Sequence, residues 1–108
     1  MSKRRIYRIT FANQDSVYEI YARKVSESEM FGFLEVEEFV FGENTSLVVD
    51  PSEERLKMEF STIKRTYIPM HTIFRIDEVE KQGVAKMRDK GRDDNKVSLF
   101  PMAGKRKE

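Results

Sequence analysis

From Tyr7 onward the chain alternates apolar and polar residues. Tyr7, Ile9 and Phe11 are set against Arg8 and Thr10, the period of two that marks a half-buried strand. Asn13-Gln14-Asp15-Ser16 supplies turn-forming side chains. Alternation resumes over Val17–Val25, with Tyr18, Ile20 and Ala22 on one face and Glu19, Tyr21 and Arg23 on the other. The pattern predicts an antiparallel hairpin. Ser26-Glu-Ser-Glu29 has the spacing of a capping box, which predicts one helical turn after the hairpin, ended by Gly32.

The next run, Phe33–Phe41, changes phase. Leu34 and Val36 set one face and Phe39 and Phe41 the other, so a bulge or bend is expected at Glu37-Glu38. Gly42-Glu-Asn-Thr45 reads as a turn and Leu47-Val48-Val49 as a short strand. One helix is predicted over Pro51–Phe60. Asp50 stands at the N-cap, Pro51 at the first helical position and Glu53 at the third residue of an Asp-x-x-Glu box. Leu56, Phe60 and Ile63 fall on one stripe, and Glu53 and Lys57 are spaced i, i+4.

Two further strands, Ile63–Ile68 and Thr72–Glu80, flank Pro69. Proline lacks an N–H and fixes φ, and it holds Ile68 extended, so the chain is expected to turn a corner there. Corners of this kind curl a small sheet over itself. The fold class is therefore mainly β (α+β): a strongly bent antiparallel sheet of five or six strands, or a small SH3/Sm-like barrel, with one helix near 51–60. The expected core is Ile9, Phe11, Ile20, Val36, Leu56, Phe60, Ile68 and Ile76.

After Gln82-Gly83 large apolar residues become sparse and no clean period survives. Residues 1–83 are accordingly assigned to a single small β domain and 84–108 to a basic, poorly structured C-terminal extension. Within that extension Val97-Ser-Leu-Phe-Pro101 is the one apolar stretch, suited to an edge strand or to docking in a pocket.

Composition narrows the class further. A chain of 108 residues that is 39% hydrophobic fits one domain with one core. The absence of cysteine excludes disulfides, thiolate metal sites and a cysteine nucleophile. Purely apolar runs such as Phe39-Val40-Phe41 are too short to span a membrane, and Met-Ser-Lys-Arg-Arg is followed by alternation rather than by a signal core. A cytoplasmic protein is expected.

The net charge of +1 conceals segregation. Residues 1–25 carry six Lys/Arg against two acids, whereas residues 26–61 carry two against ten. Residues 83–108 are again basic, at +4. This asymmetry bears on association rather than on fold. It nominates Glu35, Glu37 and Glu38 as an acidic interaction face, and Lys3, Arg4, Arg5, Lys105, Arg106 and Lys107 as basic contacts.

Catalytic chemistry finds little support. His71 is the only histidine, and Ser61, Thr72 and Asp77 stand in no nucleophile elbow around it. A hydrogen-bonding role for His71 at the corner is expected instead. Glu35 and Glu37 share a strand face without a histidine, so a solvated face is preferred to a divalent-cation site. The five glycines form no phosphate-binding loop. No catalytic residues, cofactor, metal or small-molecule substrate are expected.

Several segments carry a resemblance: Val17-Tyr-Glu-Ile-Tyr-Ala-Arg23, Gly32-Phe-Leu-Glu-Val-Glu-Glu38, Asp50-Pro-Ser-Glu-Glu-Arg-Leu56, Tyr67-Ile-Pro-Met-His71 and Arg75-Ile-Asp-Glu-Val79. Together, over roughly residues 4–83, they resemble a family of short uncharacterised bacterial proteins catalogued as a domain of unknown function. That likeness implies no activity and no site residues. A weaker likeness, carried by His71-Thr-Ile73, is to the Sm-like small barrels, which place their helix before the first strand rather than at 51–60. The functional expectation is a non-enzymatic protein-interaction module, an adaptor or regulator, with a protein partner or self-association. The alternative is an RNA-binding small barrel, with Tyr7, Tyr18, Tyr21 and Tyr67 available for stacking.

Overall fold

The computed structural model describes residues 5–42 and 50–89. The strand expected at 47–49 and the stretch 97–101 lie outside the described residues, as do Lys3, Arg4, Lys105, Arg106 and Lys107. Within them the chain forms six strands and one α-helix: β1 (Ile6–Asn13), β2 (Ser16–Glu27), β3 (Phe33–Val40), α1 (Pro51–Phe60), β4 (Arg65–Pro69), β5 (Ile73–Val79) and β6 (Lys86–Asp89). All pairings are antiparallel, in the order β4-β3-β2-β1-β5, and the sheet does not close.

β2 is the spine of the sheet. One edge pairs with β1. The other carries β6 along Ser16–Glu19 and β3 along Tyr21–Glu27. The sheet extends past residue 83: Ala85 is fully buried and β6 pairs with β2 as far as Asp89. Side chains of α1 lock this last strand in place. Ser52 Oγ donates to the Met87 carbonyl at 3.0 Å and receives the Met87 amide at 2.6 Å. One Glu53 oxygen accepts the amides of Gly42 and Ala85, both at 3.1 Å. Glu53, expected to complete the helix cap, is thus turned inward, and Asp50 alone caps α1 through the amides of Ser52 and Glu53.

The phase slip at Glu37-Glu38 is a bend shared by two strands. Ala22 opposite Phe39 and Val25 opposite Val36 all pack in or against the core, although each pair of neighbours along a strand is three residues apart. Both strands change face together at Arg23-Lys24 and Glu37-Glu38, so the register is kept and no residue is bulged out. Glu38 takes up the bend with φ of 58°. A true register shift occurs between β1 and β5, where Thr10 faces Arg75 but Phe11 faces Ile73, leaving Phe74 without an opposite residue. At the Pro69 corner a 3₁₀ turn, Met70–Thr72, joins β4 to β5.

Two other expectations change. Ser26–Glu29 is not a helical turn: β2 runs on to Glu27, and Ser28 Oγ accepts the Met30 amide at 2.8 Å in a tight turn. Gly32 does end that turn, at φ of 83°. The core consists of Ile9, Phe11, Tyr18, Ile20, Ala22, Leu34, Val36, Leu56, Phe60, Ile68 and Ala85. Ile76 is not part of it. It lies opposite Ile9 but on β5, which pairs only with β1 among the described residues, and it remains 38% exposed.

Candidate interaction surface

The acidic run on β3 is largely neutralised by cations from its neighbours. β4 lies against β3 with Arg65 opposite Glu37, and the Arg65 guanidinium reaches Glu37 and Glu35, both at 3.1 Å. Lys24, opposite Glu37 on β2, approaches its other oxygen at 3.7 Å. The Arg65 hydrogen bond holds the Glu37 carboxyl below the usual carboxylate range. Of the three nominated glutamates only Glu38, at the bend, is exposed. Arg5, among the nominated basic contacts, is exposed and lies 3.9 Å from Glu78.

The four tyrosines do not form a platform. Tyr18 is buried against Phe11, with ring centroids 5.2 Å apart, and its hydroxyl donates to Glu59 at 3.0 Å. Tyr21 is buried on the opposite face beneath Gly83, where a Cβ would collide with the phenol oxygen. Tyr67 is 40% exposed, on β4. His71 is exposed in the 3₁₀ turn, and the side-chain hydrogen bond that closes this corner comes from Thr72, whose hydroxyl donates to the Pro69 carbonyl at 2.7 Å.

A different surface emerges where the β2–β3 turn meets the end of β4. Phe31 is fully exposed and Met30 45% exposed at the tip of the turn. The Met70 amide donates to the Gly32 carbonyl at 2.8 Å, which brings the half-exposed Met70 beside this tip. Met30 and Tyr67 both line a cleft of about 460 Å³, and Glu27, Glu29, Glu35 and Arg65 line it as well. Exposed apolar side chains thus lie near a polar, mainly acidic cleft at a free sheet edge, since β4 pairs only with β3 among the described residues. Sequence reasoning missed this surface. The signal was the apolar pair Met30-Phe31 inside a Ser/Glu/Gly turn, where a turn that only reverses the chain has no need of large apolar residues.

Among the described residues no helix is long and apolar enough to cross a membrane. No curated protein and no solved structure matches the chain. A family model does, over residues 5–102, so the chain belongs to the family described as Domain of unknown function (DUF1820).

Proposed function

We propose that the chain is a non-enzymatic protein-interaction module, an adaptor or regulator, that receives an extended basic segment of a partner protein along the β4 edge. The observation that carries this reading is Phe31, fully exposed beside Met30, Met70 and Tyr67. Burying a ring of that size on a partner contributes roughly 1.5–3 kcal/mol. Exposed apolar residues near a free sheet edge suit strand addition, in which backbone pairing supplies affinity and side-chain contacts supply specificity. Glu27 and Glu29, exposed at the rim, favour a basic partner and speed its approach. The bacterial cytoplasm is the proposed setting.

The test is purification of the tagged full-length chain after nuclease treatment, with mass spectrometry of what remains bound, for the native sequence and for Phe31→Ser. A stoichiometric protein retained by the native chain and lost by Phe31→Ser, with both chains equally folded by circular dichroism, is the expected result. Equal retention by both removes this surface from the function. Loss of all bound material on nuclease treatment transfers the reading to nucleic acid.

A further inference from the structure

The open side of the sheet leaves a cavity of about 140 Å³ between the end of β1, the C-terminal part of α1 and β4. Phe11, Tyr18, Phe60 and Ile68, none more than 7% exposed, line it together with Ile63 and Thr66. Engineered apolar cavities of about 150 Å³ take up benzene, so this one has the capacity for an aromatic ring. Glu59, which accepts the Tyr18 hydroxyl, belongs to the same lining.

We propose that this cavity is filled by the chain's own segment Val97-Ser-Leu-Phe-Pro101, with the Phe100 ring seated in it. The path of the chain supports this. β6 ends with Asp89 opposite Ser16, next to the β1–β2 turn, and Asn13 of that turn borders the cavity. The seven residues Lys90 to Lys96 that lead to Val97 span up to about 23 Å when extended. They are polar throughout, and Val97, Leu99 and Phe100 are the first large apolar residues after Met87. Lys96 immediately precedes Val97 in the sequence, a charge opposite to that of Glu59 in the cavity lining. The family model also runs past Asp89 to residue 102, taking in this segment and stopping short of the Lys105-Arg-Lys107 tail.

The chain has no tryptophan, so Phe100→Trp in the full-length protein is a single reporter. In the folded state its emission is expected at shorter wavelength than in urea, with iodide quenching reduced several-fold. Thr66 lies opposite the buried Val36 and so faces the cavity side. Adding Thr66→Arg is expected to return emission and quenching to the urea values while circular dichroism stays unchanged. Should that variant unfold, nuclear Overhauser effects between the Phe100 ring and the Ile68 methyls of the native chain decide the matter, and they are expected to be present. Folded Phe100→Trp protein with water-exposed emission, shielding that survives Thr66→Arg in a folded chain, or absence of those Overhauser effects each overturns the proposal.

Discussion

Glu37 belongs to the outward set of β3, yet its side chain is only 12% exposed because Arg65 and Lys24 approach from the strands on either side. This arrangement makes stability depend on pH in a definite direction. A carboxyl whose pKa is depressed by folding adds stability that is present above its unfolded value, near 4.3 for glutamate, and is lost as pH falls through the folded value. Glu37 is depressed by Arg65, and Asp77 by Arg8 and then Arg75. The melting temperature is therefore expected to fall on acidification below about pH 4.3, and Glu37→Gln to shallow that fall while lowering stability at neutral pH. An acid limb identical in the native chain and the variant would show that the pair contributes nothing. The acidic character of residues 35–38 was plain in the sequence. Its neutralisation was not, because Arg65 lies 28 residues from Glu37 and meets it only through the β3–β4 register.

At the scale of elements, legibility followed how local the signal was. α1 was readable because its cap, Asp50-Pro51, and its buried stripe, Leu56 and Phe60, sit within eleven residues. Leu56 is fully buried, so Leu56→Ala is expected to cost about 2–5 kcal/mol in urea unfolding. A loss below about 0.5 kcal/mol would mean that the helix does not cover the core. The supposed turn of helix at 26–29 failed because Ser-x-x-Glu suits more than one structure. Ser28 spends its hydroxyl on the amide two residues on, a local bond that competes with helix. β6 escaped notice for a different reason. It is held by backbone pairing to β2 and by Ser52 and Glu53 of α1, and of these neither the pairing nor the distant side chains leave a pattern in residues 84–89.

For the molecule as a whole, the charge blocks of the sequence are partly reconciled by the strand order. Arg8 of β1 meets Asp77 of β5 at 2.7 Å, and Arg65 of β4 meets Glu35 and Glu37 of β3. With two of the four tyrosines buried as well, a titration with single-stranded RNA is expected to show no binding even at about 50 mM salt, where non-specific phosphate contacts are favoured. Binding that weakens steeply with added salt would reverse this expectation.

The same strand order sets a schedule for synthesis. β2 ends at residue 27, but the Ser16–Glu19 third of one edge waits for β6, which ends at residue 89, and β1 waits for β5, which ends at residue 79. At about 5–20 residues per second, the 62 residues between the ends of β2 and β6 take roughly 3–12 s to be added. Until residue 79 is added the nascent hairpin carries unpaired amides and carbonyls on both sides, and until residue 89 on one, so it is during translation that the chain is most open to wrong pairing.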